Sequence, residues 1–311
     1  MALLSRNADR IFWAARYLER AEDTARLVQE FGELFDDMPI DDTEQYRWAP
    51  LLAVCGDRSL LSSDASERDV VRALVCDPEQ PGSVAACVAA ARSNLRTTRE
   101  ILPREAWHAV NDLSLFVAAD ANRAEDRRFR SRVLGRVAND SRRLDGILTS
   151  SMTRDAAWQM WRMGRYLERA DMTTRVVGVR AAALMARPWD AGRYDEVQWM
   201  GVLRSLSALQ MYQRATRGPI DASSVVQFLL FDTLFPRSVR FSLDEIDRCL
   251  VELSRPESVH QAVSEARAAL MSTMATTADG ADLDQAMDWV QSLIGKVNDA
   301  VTDRYLSIDG G

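Results

Sequence analysis

Two eleven-residue segments of the chain repeat one arrangement of arginine, glutamate and tyrosine. Residues 16–26 read RYLERAEDTAR and residues 165–175 read RYLERADMTTR, and eight of the eleven positions are identical. Arginine guanidinium groups bind carboxylates or phosphates through paired hydrogen bonds, and a glutamate binds a cationic group. The repeated pattern therefore predicts a polar pocket for a charged ligand. Its members are the acids Glu19 and Glu168, the arginines Arg16, Arg20, Arg26, Arg165, Arg169 and Arg175, and the tyrosines Tyr17 and Tyr166.

The helical face that carries these charges also carries aromatic rings, which is unusual for a solvated surface. At 100° per residue, Phe12, Arg16 and Glu19 lie along one line, and the second segment repeats that line with Trp161 in place of Phe12. Buried charges must be paired and hydrogen-bonded, or they cost several kcal/mol. A buried ion network that holds two halves in register accounts for the same pattern, so the pocket and the network stay open as alternatives.

These segments must be positioned by helices, because most of the chain shows apolar residues at three- and four-residue spacing. No alternating strand pattern with hairpin turns occurs. We predict an all-α fold, a multi-helix bundle of about 10 to 12 helices whose breaks fall at Pro, Gly or Asx clusters. The predicted helices cover residues 7–36, 44–55, 66–76, 83–102, 103–122, 125–150, 153–187, 194–216, 223–231, 238–254, 256–278 and 283–307.

The repeat also predicts how the helices are organised. Its offset of 149 residues is too long for a solenoid unit and indicates two related halves. We predict a single domain over residues 1–311, in which residues 6–28 and 155–177 are equivalent elements of two pseudo-symmetric halves. The Glu/Arg faces of these two helices are expected to approach each other.

The composition limits the classes of partner. Apolar residues make up 47% and charged residues 27% of the chain, which is the balance of a soluble globular protein. A net charge of −7 argues against a nucleic-acid-binding protein, and no apolar stretch is long enough to cross a membrane. Four scattered cysteines without a CxxC pair, and an N-terminus that is charged early, favour a cytoplasmic protein.

A metal site is a minor alternative. The two histidines both lie in Glu-x-x-His motifs, Glu105 with His108 and Glu257 with His260, and di-iron helical bundles use such motifs. Each glutamate follows a proline that opens a helix, however, and there the helix dipole is enough to account for an acid. No P-loop, G-x-G-x-x-G or nucleophile signature occurs, so we expect no cofactor on this chain.

Four motifs spread along the chain match one known family. They are residues 5–28 (SRNADRIFWAARYLERAEDTARLV), the second RYLERA, residues 99–111 (REILPREAWHAVN) and residues 225–239 (VVQFLLFDTLFPRSV). On these motifs the chain resembles the alpha-E domain family of bacterial all-helical proteins over nearly its whole length. One departure is Ala14-Ala15, where the second copy has the expected Met163-Gly164 pair.

The resemblance implies a place beside a circularly permuted ATP-grasp protein and a transglutaminase-like peptidase, in a system that forms or modifies peptides. ATP and magnesium are then expected on the partner, and the substrate is expected to be an amino acid or a peptide. The family's charged motif falls on the repeat residues, including Glu22 and Asp171. A third motif falls on Pro236-Arg237-Ser238, and a fourth on Trp107 and Asn111.

Chemistry suggests roles for these residues in such a system. Arginine forks suit a substrate carboxylate, and a glutamate suits its ammonium group. A glutamate in a dry, aromatic-lined site is expected to have a raised pKa and to act as a general base on an attacking amine, which makes Glu19 and Glu168 the candidate catalytic residues. Arg237 is a candidate ligand of a phosphate or carboxylate, although a helix start capped by Ser238 accounts for the same pattern. The alternative is a non-catalytic scaffold for the ATP-grasp protein, with a purely structural Glu/Arg network.

Overall fold

The computed structural model describes residues 3–36, 48–55, 65–185, 195–253, 256–273 and 283–307. Every regular element in these ranges is a helix, so the prediction of an all-α fold is confirmed. One short 3-10 turn and two π-helical turns occur beside the α-helices. The elements are α1 Ser5–Asp36, α2 Ala49–Cys55, α3 Glu67–Val71 with Arg72–Cys76, α4 Val84–Thr97, α5 Arg104–Asp120, the 3-10 turn Ala121–Glu125, α6 Arg127–Ser151, α7 Ala156–Met185, α8 Asp195–Ser205, α9 Leu209–Thr216, α10 Ala222–Phe231, α11 Val239–Glu252, α12 Glu257–Thr273, and α13 Leu283–Val301 with Thr302–Leu306.

The chain divides into two compact units, Met1–Gly164 and Arg165–Gly311. The division falls inside α7, so each unit contains part of this helix. The first RYLERA segment lies on α1 in the first unit, and the second lies on the part of α7 that belongs to the second unit. That the chain forms one domain with pseudo-symmetric halves stays a prediction.

In the first unit, α1 packs against α4 and α6, and α5 packs against the same two helices. The apolar stripe expected on α1 is buried: Ile11 and Ala25 are fully inaccessible, and Leu18 is 3% exposed. Burying a side chain of this size contributes about 1.5–3 kcal/mol. The stripe therefore holds α1 in the interior and fixes which way its Glu/Arg face points.

Gly164 allows the backbones of α7 and α1 to approach closely within the first unit. A methyl group at this position would overlap the carbonyl oxygen of Phe12 and would lie 3.2 Å from the Cβ of Ala15. Ala15 is the position equivalent to Gly164 in the repeat, so this contact joins equivalent positions of the two copies. The glycine in the second copy is thus explained by a helix crossing that leaves no room for a side chain.

In the second unit, α12 packs against α11 and α13, while α10 packs against α8, α11 and α12. The core positions of α12 and α13 recur at helical spacing and are fully inaccessible in both helices, as Val259, Val263, Val290 and Val297 show. The 3.6-residue periodicity seen in the sequence is therefore the buried stripe of each helix.

Both units contain the same capped loop before a core helix. The pattern D-x-x-x-P-x-S-V occurs at residues 77–84 and 232–239. In each copy the aspartate side chain accepts the backbone N–H two residues on, and the serine hydroxyl donates to the aspartate carbonyl. The serine oxygen, Ser83 or Ser238, then caps the next helix by accepting an N–H at 3.0 Å. This local repeat was not expected from the sequence.

An ion network in the first unit joins α3 to α6. The carboxylate of Glu67 accepts hydrogen bonds from Arg127, at 3.0 Å from Nε, and from Arg130, at 2.5 Å. Burial raises the pKa of Glu67, but the hydrogen bonds and positive charges of the two arginines outweigh it and hold the pKa below its usual value. Ion pairs also join Glu125, just before α6, to Arg68 and Arg72.

The predicted helix over residues 194–216 is wrong in one respect, because it is broken into α8 and α9. Ser207 adopts a left-handed φ of 51°. Its N–H donates to Arg204 at 2.8 Å, and the N–H of Ala208 donates to Leu203 at 2.6 Å. This is a Schellman motif, which ends a helix and usually has glycine where this chain has serine. The missing glycine is why the sequence pattern did not reveal the break.

Other predicted boundaries are close to the observed ones. The helices expected at 83–102 and 103–122 end earlier, at Thr97 and Asp120. Predicted helical residues 44–47, 186–187, 194, 254 and 274–278 lie outside the described ranges. Among the described helices, none combines the length and the apolar character that crossing a bilayer requires.

Candidate functional site

The charged side chains of the first repeat are buried in spite of their charge. Glu19 is 2% exposed, Arg16 is 8% exposed and Arg26 is 7% exposed, whereas Arg20 is half-buried. Each of them takes part in at least one polar, electrostatic or ring interaction. Removing an ion from water costs several kcal/mol unless interaction partners compensate for the lost hydration. This face of α1 therefore belongs to the protein interior and is not a solvated surface.

Aromatic rings lie beside these charges on α1. The guanidinium of Arg16 lies 5.1 Å from the ring centroid of Trp13, and the Trp13 and Tyr17 rings are 5.7 Å apart. Burial and a nearby thiol, Cys87, raise the pKa of Tyr17, and Arg20 and Arg16 oppose that rise. Tyr17 is therefore protonated at neutral pH, and its hydroxyl is able to donate a hydrogen bond.

Glu22 links the first repeat to another helix. Its carboxylate pairs with Arg26 one turn further along α1 and with Nε of Arg142 on α6, at 3.0 Å. Glu22 is 3% exposed, so both pairs are shielded from solvent on the glutamate side. The Arg26 pair follows from four-residue spacing on one helix, whereas the contribution of Arg142, 120 residues from Glu22 in sequence, was not predicted.

The second repeat is buried to a similar extent. Glu168 is fully inaccessible and Arg169 is 9% exposed, with the Arg169 guanidinium 5.5 Å from the ring centroid of Tyr166. Arg175 pairs with Asp171 at 3.0 Å, one turn apart. Arg165 and Tyr166 are half-buried. Equivalent glutamates in the two units thus occupy equivalent environments with respect to solvent.

The capped loop of the second unit touches the second repeat. Thr173 donates its hydroxyl proton to the backbone carbonyl of Arg237 at 2.9 Å, and the Tyr166 ring lies 5.9 Å from that of Phe241. The Arg237 side chain is 7% exposed. The loop therefore places a buried guanidinium next in sequence to Ser238. Ser238 caps α11, so the helix-cap alternative for the Pro236-Arg237-Ser238 motif is confirmed.

The two units differ at the position of this arginine. The equivalent residue in the first unit is Gly82, where an added methyl group would lie 3.2 Å from the carbonyl oxygen of Cys55. The hydroxyl of Thr24, equivalent to Thr173, is buried and has no hydrogen-bond partner within the described ranges. The contact between repeat helix and loop is consequently built differently in the two copies.

The remaining motif residues have mainly structural surroundings. Trp107 and Asn111 on α5 both contact Arg92 of α4, whose Nε donates to the Asn111 amide oxygen at 2.9 Å and whose guanidinium lies 5.7 Å from the Trp107 ring centroid. These contacts join α4 to α5. The sequence indicated Trp107 and Asn111 as a motif, but it did not identify Arg92 as their common partner.

The Glu-x-x-His motifs are not arranged as bundle ligands. Glu105 and His108 are exposed, and His108 contacts Arg104. His260 lies 2.9 Å from Asp247 on α11. Within the described ranges, no group of three or more His, Cys, Asp and Glu side chains converges as metal ligands do. The geometry therefore gives the di-metal alternative no support.

All eleven predicted site residues are described, and the structure places each unit's members on one helix or at the adjoining loop. In the first unit these are residues of α1, and in the second unit they are residues of α7 together with Arg237. That the Glu19 and Glu168 faces approach each other, and that these residues bind a ligand, stay predictions.

Comparisons with known proteins agree with the motifs. Residues 3–306 match the Alpha-E family, described as a predicted alpha-helical domain with a conserved ER motif. The chain is 25% identical to the uncharacterized proteins Rv2567 of Mycobacterium tuberculosis and Mb2597 of Mycobacterium bovis. The match covers 97% of this chain but 37% of each relative, so the chain spans little more than a third of their length. No solved structure matches the chain.

The family description names a conserved ER motif, and Glu-Arg dipeptides occur in this sequence at residues 19–20 and 168–169 of the repeat and also at residues 67–68. The family match extends over nearly the whole chain, and the helical fold agrees with it. The chain belongs to the Alpha-E family.

Proposed function

We propose that this chain is the substrate-handling component of an ATP-grasp-associated system that forms or modifies peptides by amide ligation. Its ligand is an amino acid or a peptide, held by the buried Glu/Arg side chains of the two repeats. ATP and magnesium are bound by a circularly permuted ATP-grasp partner, a transglutaminase-like peptidase acts in the same system, and the site of action is the cytoplasm. Neither nucleic acid nor a membrane is a partner.

One observation carries the proposal: Glu19 and Glu168, at equivalent positions, are 2% and 0% exposed. A buried ion pair adds little stability by itself, because well-packed apolar residues of similar volume are often equally or more stabilising. Two buried glutamates, each with arginine and tyrosine beside it in the repeat, therefore favour a chemical role for these residues over a purely stabilising one. Such sites are where acids and bases are tuned for function.

The residue types support a division of roles. Arg16, Arg26, Arg169 and Arg237 are each less than a tenth exposed, and buried guanidinium forks bind carboxylates strongly. A glutamate accepts protons and hydrogen bonds only, so it suits the ammonium group of an amino acid or the amine that attacks an activated carboxyl group. In this proposal the arginines bind and orient the substrate, and Glu19 and Glu168 receive the proton.

A second candidate is a non-catalytic scaffold for the ATP-grasp protein, and the contacts of Glu22 favour it. This residue joins Arg26 to Arg142 and so ties α1 to α6, as a structural network would. In that case the Glu/Arg faces serve stability, and the chain contributes a docking surface alone.

Reconstitution distinguishes the two. The chain is mixed with the neighbouring ATP-grasp protein, amino acids and ATP, and ligated products are identified by mass spectrometry. The proposal expects product only when the chain is present, and loss of product with Arg169→Gln at an unchanged yield of the complex in a pull-down. A scaffold predicts that Arg169→Gln makes normal product as long as the complex forms. Equal product without the chain contradicts both.

A further inference from the structure

The solvent-facing side of α6 is uniformly positive in a chain whose net charge is −7. Every exposed charged residue of this helix is an arginine, and its two acids, Asp140 and Asp145, are half-buried. Residues 83–151 together carry twelve arginines and eight acids, a net charge of +4. The exposed arginines of α6 are Arg127, Arg128, Arg132, Arg136, Arg142 and Arg143.

Four of these residues form a continuous line, here named the α6 ridge: Arg128, Arg132, Arg136 and Arg143. At 100° per residue they fall within about 80° of one another, on the side of α6 opposite its buried stripe. With a rise of about 1.5 Å per residue, the ridge is about 22 Å long, and successive arginines at four-residue spacing are about 6 Å apart.

Part of the ridge charge is not neutralised within the described ranges. Arg128 pairs with Asp126 at 2.6 Å and Arg136 pairs with Asp140 at 2.5 Å. By contrast, Arg132 and Arg143 are exposed and form no ion pair within the described part of the chain. The ridge therefore keeps a net positive charge at its middle and at its C-terminal end.

Aromatic rings restrain the side chains of two ridge arginines. The guanidinium of Arg136 lies 4.9 Å from the ring centroid of Phe116 on α5, and that of Arg128 lies 5.7 Å from Phe129. Arginines that stack on rings lose less side-chain freedom when they bind, because part of the ordering has already occurred.

Two glycines lie on the same side of α6 as the ridge. Gly135 and Gly146 are 11 residues apart, so they nearly eclipse each other along the helix. A methyl group at either position would meet nothing within 4 Å. A glycine inside a helix costs about 1 kcal/mol relative to alanine, and packing in the described structure gives no reason for it. Glycine on an exposed helix face allows the backbone of a second helix to approach closely.

We propose that the α6 ridge is a docking surface for an acidic helix of a partner polypeptide. Carboxylates at four-residue spacing on such a helix lie about 6 Å apart and match the ridge arginines one to one. The glycines give that helix a low surface to rest on. A polypeptide fits better than a nucleic acid, because the strip is one helix wide and the rest of the chain repels an extended polyanion. In the relatives, moreover, the matching region is joined to further polypeptide, since it covers 37% of their length.

The test measures binding of a fluorescent, alanine-based peptide of about 18 residues with glutamate at every fourth position, at about 50 mM salt where surface charges are least screened. The ridge variant is Arg132→Glu with Arg143→Glu, at two exposed residues that form no ion pair with the residues the structure describes. The matched control is Arg204→Glu with Arg214→Glu, which changes the net charge equally at exposed residues of α8 and α9. Circular dichroism establishes that all three proteins are folded. Should the ridge variant fail to fold, Arg132→Gln with Arg143→Gln replaces it, and Arg204→Gln with Arg214→Gln becomes the matched control.

The proposal expects the ridge variant to bind the acidic peptide at least about tenfold more weakly than the unchanged chain, and the control to bind within about twofold. Equal weakening in both variants overturns it, because net charge alone would then account for the effect. It is also overturned when the unchanged chain does not bind the peptide, or when a thymidylate oligonucleotide of equal charge binds more tightly than the peptide does.

Discussion

At the scale of single residues, the two copies of the repeat differ in one testable hydrogen bond. Thr173 donates to the Arg237 carbonyl, whereas the hydroxyl of the equivalent Thr24 is buried without a hydrogen-bond partner in the described ranges. Thr173→Val removes a donor and leaves a buried carbonyl less well satisfied, while Thr24→Val removes a hydroxyl that gains nothing from burial.

We therefore predict that Thr173→Val lowers the free energy of unfolding by about 1–2 kcal/mol and that Thr24→Val leaves it unchanged or raises it. Urea denaturation of the two variants measures the difference. Because both substitutions are the same chemical change, each serves as the control for the other. Equal destabilisation of the two variants would show that the contacts of the loop are alike in both units.

Glu67 gives a prediction for pH. Its folded-state pKa is below the ordinary value because the hydrogen bonds and charges of Arg127 and Arg130 outweigh burial. A carboxyl group of this kind stabilises the folded state fully above its unfolded pKa, and the stabilisation is lost as pH falls through its folded pKa. Glu67→Gln should therefore cost about 1–2 kcal/mol near pH 7 and progressively less under acid conditions. Thermal unfolding at a series of pH values checks this, and a cost that is independent of pH would contradict it.

At the scale of helices, Gly164 fixes how α7 packs on α1 within the first unit. Gly164→Ala would place a methyl group against the Phe12 carbonyl, so the helices must move apart at a cost of about 1–3 kcal/mol. The same change in open space, Gly295→Ala on α13, should instead stabilise the chain by up to about 1 kcal/mol. Opposite shifts in the thermal midpoint of the two variants are expected. If Gly164→Ala left the thermal midpoint unchanged, the close contact between α7 and α1 at Gly164 would be contradicted.

The helices themselves were predictable because burial imposes a period on the sequence. The stripe through Ile11, Leu18 and Ala25 indicated both the presence of α1 and the side that it buries. The break at Ser207 was not predictable, because the left-handed residue that ends α8 is a serine and not a glycine. The repeated capped loop was predictable in principle, since D-x-x-x-P-x-S-V occurs twice in the sequence. It was not predicted because aspartate, proline and serine are common in loops, and only the structure shows the hydrogen bonds that they form.

For the candidate site, the sequence predicts contacts within one helix but not contacts between helices. Four-residue spacing on one helix is enough to bring together pairs such as Arg175 with Asp171. The partners Arg142 and Arg92 come from other helices, and a single sequence carries no signal for which of its 38 arginines meets which acid. The burial of Glu19 and Glu168 was expected from the aromatic residues beside them, and it is the feature on which the proposed function depends.

At the scale of the whole molecule, charge is distributed unevenly along the chain. A net charge of −7 coexists with a stretch of +4 over residues 83–151. Arg142 of α6 pairs with Glu22 of the first repeat, but the ion pairs of the α6 ridge are made with Asp126 and Asp140, outside the repeats. The buried arginines of the repeats and the arginines of the α6 ridge are expected to act differently. Under the two proposals, interior guanidinium groups would bind a small charged substrate and the α6 ridge would bind a partner polypeptide, so a variant of the ridge should leave substrate binding intact.

The most direct test of the central claim compares product formation by Glu19→Gln and Glu168→Gln with that by Glu67→Gln in the reconstituted ligation system. Glu67 is a glutamate with two arginine partners outside the repeat, so it controls for the loss of an ion pair. At equal folded fraction, the account predicts that both repeat variants lose product by at least about 100-fold, as removal of a general base does, while Glu67→Gln keeps it. Product from Glu19→Gln and Glu168→Gln equal to that of the unchanged chain would contradict the account and leave the buried Glu/Arg clusters as structural networks.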